Sequence, residues 1–150
     1  ITYQQYLVKD IHLIKSLWER LNEIHSRVSP DFGERYANTT FEKRSQKLLE
    51  KAEDEIRITC AKDEEQVIGY CVSTVNVEDA TGDLESIYVD PSYRRMGIGE
   101  ALMDDSKTWM FRNGCHRITL GVSVGNESVI EFYKKAGFHP RLIELEYKES

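Results

Sequence analysis

The spacing of apolar residues along this chain changes from a helical period to a strand period near residue 55. Ile11, Ile14, Leu17, Trp18, Leu21 and Ile24 recur every three or four positions, which predicts a helix over residues 10–25 with Asp10 as its cap. Residues 26–33 carry Pro30 and Gly33 and read as a looser connection. A second stripe, Phe41, Arg44, Leu48 and Ala52, predicts a helix over residues 40–53. Ahead of both, residues 2–8 alternate well enough for a first strand. Beyond residue 55 the period is two: residues 55–62 and 66–77 predict paired strands around the polar turn Asp63-Glu64-Glu65. Thr81-Gly82-Asp83 is a further turn, followed by a strand over residues 84–89. A helix over residues 99–113, with Asp104 and Asp105 early, Lys107 and Arg112 late and Gly114 as its stop, comes next. A strand over residues 117–124, a helix opened by Asn126 and a closing strand over residues 142–148 complete the order β-α-α-β-β-β-α-β-α-β. That order predicts an α/β (α+β) fold, a mixed and mostly antiparallel sheet with helices on both faces.

Residues 1–150 fit one domain, large enough to bury a core without metal or disulfide staples. The 26 acidic residues outnumber 20 basic ones, a net charge of −6, which argues against a nucleic-acid module with its basic face and is compatible with a cationic partner. No apolar run approaches the roughly 20 residues that span a bilayer, and the N-terminus lacks the basic-then-apolar pattern of a signal peptide. The expectation is therefore no membrane association and a cytoplasmic location. Cys60, Cys71 and Cys115 stand apart, without a Cys-x-x-Cys pair, so neither a metal site nor a redox motif is indicated. Cys60 and Cys71 fall in apolar strand segments and are expected to be buried, reduced thiols.

Chemistry concentrates in Leu84-Glu85-Ser86-Ile87-Tyr88-Val89-Asp90-Pro91-Ser92-Tyr93-Arg94-Arg95-Met96-Gly97-Ile98-Gly99. An apolar strand enters a turn, then an Arg/Gly loop, then a helix start. Free backbone N–H groups beside a positive helix end suit a pyrophosphate, and glycines let the main chain approach a ligand closely.

The spacing Arg-x-x-Gly-x-Gly resembles the acetyl-CoA signature of the GNAT superfamily of N-acetyltransferases. A second block, Asn126-Glu127-Ser128-Val129-Ile130-Glu131-Phe132-Tyr133-Lys134-Lys135-Ala136-Gly137-Phe138, is similar to the family's later motif, in which an Asn opens a short helix carrying Phe-Tyr and closed by Gly-Phe. The resemblance covers about residues 84–138, which would form the acetyl-CoA core, with residues 10–53 supplying acceptor-side helices. It implies that main-chain amides of Arg94, Arg95, Met96, Gly97, Ile98 and Gly99 hold the pyrophosphate. Ile87, Tyr88 and Val89 would offer backbone groups to the pantetheine arm, while Asn126 and Phe132 contact the cofactor. Asn126 also suits a helix N-cap, although Ser128 and Glu131 stand at capping-box spacing and would free it.

Tyr133 sits where the family places a phenol beside the cofactor's sulfur, and a departing thiolate needs such a proton donor. Glu85 occupies the place of a Glu that similar enzymes, the spermidine/spermine N-acetyltransferases among them, use to receive the amine's proton. They read Leu-Glu-Asp where this chain has Leu84-Glu85-Ser86. Glu85 acting directly, acting through a water, or only binding a cationic acceptor all stay open. Trp18, Leu21, His25, Phe32, Tyr36 and Phe41 are candidates for an aromatic acceptor wall.

The resemblance implies direct transfer from acetyl-CoA to a primary amine of a small molecule, with no metal and with a homodimer as the superfamily's common assembly. A non-catalytic acyl-CoA sensor on the same fold needs neither Glu85 nor Tyr133. Acetylation of protein lysine or N-terminal amines is the other alternative. A dinucleotide-binding oxidoreductase is disfavoured, because Leu102 stands at the third glycine's place of Gly-x-Gly-x-x-Gly.

Overall fold

Five strands form one sheet in sequence order, β1 (Thr2–Tyr6), β2 (Ile56–Asp63), β3 (Gln66–Asn76), β4 (Thr81–Val89) and β5 (Arg117–Leu120). The first three pairings are antiparallel and β4–β5 is parallel, as its helical crossover requires. The computed structural model describes residues 1–149. A 3-10 segment, Val8–Ile14, leads into α1 (Lys15–Val28), α2 (Gly33–Asn38) and α3 (Phe41–Leu49); α4 (Ile98–Arg112) makes the crossover and α5 (Ile130–Lys135) follows β5. Mixed sheet and two-faced helical cover agree with the expected fold class.

Alternation sorts the core into two layers. On one face Ile11, Ile14 and Leu17 pack with Phe41 and Leu48 of α3 against Ile58, Tyr70 and Val72. On the other, Ile98, Leu102 and Met103 of α4 meet Ala61, Cys71 and Leu84, with Phe132 and Tyr133 of α5 beside them. Leu102 and Met103 are fully buried, and each such side chain contributes roughly 1.5–3 kcal/mol, so α4 is firmly seated.

Several sequence expectations change. Asp10 caps nothing: it lies at a kink (φ −100°, ψ 15°) inside the 3-10 segment, and the α-helix begins only at Lys15. Residues 33–38, for which the sequence predicts no element, form α2. The next helix stops at Leu49 rather than 53, although Thr40 does cap it by accepting from the Lys43 N–H at 3.1 Å. β5 ends at Leu120, not 124. The closing strand at 142–148 is absent: residues 139–149 pair with no strand among the described residues, and Leu142, Ile143, Leu145 and Tyr147 are exposed. A strand period persists there, but a strand exists only beside a neighbour.

Candidate active site

β4 and β5 pair from Thr81↔Arg117 to Leu84↔Leu120 and then part. β4 continues to Val89 against β3 alone, so its other edge over residues 85–89 has no strand neighbour among the described residues. Unpaired N–H and C=O groups along such an edge accept an extended ligand as they would a strand. At the parting point β4 carries a bulge: Ser73 faces Leu84 and Val72 faces Ser86, leaving Glu85 as the extra residue. Bulges re-aim side chains, and this one sends Glu85 to the α1–α3 side of the sheet. There Arg44 Nη2 donates to Glu85 Oε1 and Thr74 Oγ1 to Oε2, each at 2.7 Å. Trp18 and Phe41, edge-on at 5.5 Å between ring centroids, line the same small cavity.

The loop after β4 is held from below. Asp90 N–H donates to Ile68 O (2.8 Å), while its carboxylate accepts from Ser92 N–H (2.8 Å) and pairs with Arg20 (3.0 Å). Hydrogen bonding from Arg20 holds the Asp90 carboxyl below its usual range. Arg95 (φ +68°) and Gly97 (φ +76°) then turn the backbone through left-handed conformations into α4. No side chain caps α4, so the amides of its first turn stand uncommitted at the positive end of a 15-residue helix. Arg94 turns back instead of outward: its Nε donates to Val89 O at 3.2 Å, and its guanidinium lies 5.4 Å from the Tyr88 ring centroid. Arg95 and Met96 are exposed. Gly99 is small for a reason within the fold, since a Cβ there would stand 3.2 Å from the Phe132 ring.

Tyr133 meets Phe132 and Phe138 edge-on, at 5.4 and 6.4 Å between centroids. Burial pushes its phenol up to about 12, and the hydroxyl has no hydrogen-bond partner among the described residues. Asn126 precedes a 3-10 turn, Glu127–Val129, and its side chain caps nothing; the Ser128/Glu131 capping box does not form either. Its amide side chain is thus uncommitted. Lys107 Nζ donates to Ala136 O at 2.8 Å and ties the end of α5 to α4.

Glu85 and Tyr133 belong to opposite faces of the sheet, Glu85 with the α1–α3 layer and Tyr133 with Ile87 and Val89 in the α4–α5 layer. The parting of β4 from β5 opens between those layers. Ser123, in the connection beyond β5, joins the acceptor side through a 2.6 Å hydrogen bond to the Tyr36 hydroxyl. His25 lies tilted against the Tyr36 ring at 5.3 Å between centroids, and burial lowers its pKa. Phe41 is core, and Phe32 lies beneath the Arg35 guanidinium. Sequence reasoning missed Arg44 and Thr74 as partners of Glu85. Arg44 left one signal, a charge on an otherwise apolar helical stripe.

Comparison with known proteins places this geometry in a family. The model of the acetyltransferase (GNAT) family matches residues 18–138, and the chain belongs to that family. Glucosamine 6-phosphate N-acetyltransferase of Trypanosoma brucei brucei is 39% identical over 69 residues, 45% of each chain. An uncharacterized N-acetyltransferase of Methanocaldococcus jannaschii is 37% identical over 59 residues, 39% of this chain and 26% of its own length. The chain therefore spans about a quarter to a half of the length of these curated relatives. Among solved structures, aminoglycoside N-acetyltransferase AAC(6')-Iy in complex with CoA superposes with a TM-score of 0.69 at 17% identity, covering 99% of both chains. That likeness concerns the fold. No helix among the described residues is long and apolar enough to cross a membrane.

Proposed function

We propose that this chain is an acetyl-CoA-dependent N-acetyltransferase that moves the acetyl group directly onto a primary amine of a small molecule. One observation carries the reading: the unpaired edge of β4 leads, through the loop of residues 90–97, to the uncapped first turn of α4. These main-chain groups, of which Val89 O is engaged by Arg94 Nε, fit an extended pantetheine arm ending in a pyrophosphate. Ile87, Tyr88 and Val89 would hold the arm, and the amides from Arg94 through Gly99 the pyrophosphate, with Met96 and Ile98 contributing main chain only. Asn126 has a free side chain for the same ligand, and Phe132 keeps α5 against Gly99.

Acetyl-CoA supplies an activated thioester, which only a neutral amine attacks. Glu85, its carboxylate fixed by Arg44 and Thr74, receives the ammonium proton, directly or through a water. Tyr133, protonated throughout the neutral range, returns a proton to the departing sulfur. Main-chain N–H groups near Val89 face the charge that develops on the carbonyl oxygen. No cysteine is suited to a covalent acyl carrier, since all three are buried, the Cys60 and Cys71 thiols are pushed up to about 12, and burial raises Cys115 as well. Relatives named for a sugar-phosphate amine and for aminoglycosides support a small-molecule acceptor.

Release of CoA thiol from acetyl-CoA, followed against glucosamine 6-phosphate, aminoglycosides, polyamines, amino acids and lysine peptides, tests the proposal. Turnover with a small amine supports it and names the class. Acetyl-CoA binding with turnover on none would make the protein a sensor, and turnover on the lysine peptides alone would move the acceptor to protein.

A further inference from the structure

Pairing of β1 with β2 stops at Tyr6↔Ile58, and the chain then turns off into its 3-10 segment. Ile56 and Arg57 are left without a β1 partner, and a cavity of about 240 Å³ opens beside them, walled by Tyr6, Leu7 and, from α4, Trp109. It shares no lining residue with the cavity at Glu85. Its size is below the roughly 300–1,000 Å³ of sites for drug-sized ligands, so a fitting occupant is small.

Two charges of opposite sign line this cavity, Arg57 and Glu53, and they do not pair with each other. Arg57 gives Nε (2.9 Å) and Nη2 (2.8 Å) to the Asp105 carboxylate, which leaves Nη1 outside that pair. Thr59 Oγ1 donates to Asp105 at 2.8 Å, and the Arg112 charge acts on the same carboxylate. Asp105 is thus shared between two guanidiniums, and Arg57 keeps positive charge for a further anion. Glu53, exposed on the turn ahead of β2, takes part in no ion pair among the described residues. Between the two charges the walls are apolar: Ile56 and Ile58 are buried, Leu7 is exposed, and the Tyr6 hydroxyl is engaged by Gln4 Oε1 at 3.0 Å.

We propose that this cavity is a binding site for a free apolar α-amino acid, its carboxylate on Arg57, its ammonium on Glu53 and its side chain against Leu7, Ile56 and Trp109. A simple amine would leave the Arg57 Nη1 unanswered, and a simple carboxylate would leave Glu53 so. A zwitterion answers both, and its side chain covers apolar wall that water now meets. The site stands apart from the proposed acetyl transfer and does not depend on it.

Calorimetric titration with L-leucine tests the proposal, with leucinamide and N-acetylleucine as probes that each lack one charge. L-leucine should bind, and each analogue about 10–100-fold more weakly, the worth of a hydrogen bond to a charged group. Glu53→Gln alters an exposed side chain, so the fold is kept; it should weaken L-leucine by the same factor and spare N-acetylleucine. No heat with L-leucine at millimolar concentration, equal affinity for leucinamide, or unchanged affinity in Glu53→Gln would each overturn the proposal. Binding lost in Glu85→Gln but kept in Glu53→Gln would overturn it too, by moving the amino acid to the acceptor side.

Discussion

Arg44 and Glu85 meet at 2.7 Å from different layers, the guanidinium on α3 and the carboxylate on the bulge of β4. Thr74 occupies the second carboxylate oxygen, so the group is fixed from two sides before any amine arrives. In the proposed reaction an ammonium reaching Glu85 would meet a carboxylate that already has a cation, and its binding would be coupled to the Arg44 contact.

Glu85→Gln keeps the side chain's shape and its Thr74 contact but removes the proton acceptor. Turnover should fall by about 10²–10⁴-fold, the usual worth of a general base, with acetyl-CoA affinity unchanged in calorimetry. Arg44→Met leaves a half-buried carboxylate short of its donor and should cost about 1–3 kcal/mol by thermal melting. Turnover preserved in Glu85→Gln would remove Glu85 from the chemistry.

Tyr133→Phe retains the edge contacts with Phe132 and Phe138, so the melting temperature should hold while turnover drops by about 10²-fold or more. In the unaltered protein burial raises this phenol to about 12, so its proton is retained above the ordinary tyrosine value of about 10. Turnover should show no alkaline loss attributable to Tyr133 below that value. A pH profile with the same descending limb in protein and Tyr133→Phe would assign that limb to another group; equal turnover of the two would end the proton-donor role.

The sheet and α4 were legible because their periods run long and are backed by burial, as the Ile58–Tyr70–Val72 and Leu102–Met103 layers show. α2 was not. Its six residues carry no apolar stripe, and it is held by tertiary contacts: Asn22 Nδ2 donates to Tyr36 O (2.7 Å) and Ser26 Oγ to Gly33 O (2.9 Å). The glycine loop could be read as an anion cradle, but not the two separate demands within it. Gly97 is needed for a left-handed turn and Gly99 for room beneath Phe132. The bulge that re-aims Glu85 has no local sequence mark, because it is a relation between β3 and β4.

Alkaline pH should unfold this protein earlier than a domain without buried thiols, and Cys60 and Cys71 are the reason. Burial raises Cys60 and Cys71 from about 9 to about 12, so between those values the folded chain keeps protons that the unfolded chain releases. Stability is then complete below about pH 9 and falls as pH rises, by up to ~1.4 kcal/mol per pH unit for each thiol. Denaturant unfolding from pH 8 to 11 should show the decline, and Cys60→Ala should reduce its slope to the share left by Cys71. An unchanged slope in Cys60→Ala would mean that the thiol ionises as readily folded as unfolded.

Gly99 and Phe132 link the first turn of α4, the proposed pyrophosphate cradle, to the helix carrying Tyr133, and that link predicts non-additive mutations. In Gly99→Ala the new Cβ stands 3.2 Å from the Phe132 ring, tighter than ordinary contact, so either the ring or the first turn of α4 must shift. Its acetyl-CoA affinity and turnover should both fall, because the amide cradle and Tyr133 move together. Phe132→Ala alone loosens α5 by opening a cavity, yet in the Gly99→Ala background it also relieves the clash. The double mutant should therefore bind acetyl-CoA better than the two single losses add up to, with a coupling of about 0.5–3 kcal/mol by calorimetry. Gly97→Ala is the control: it strains the left-handed turn by about 1–2 kcal/mol without touching Phe132, so its effect should add to that of Phe132→Ala. Additivity in the Gly99 pair as well would show that the cradle and α5 respond independently.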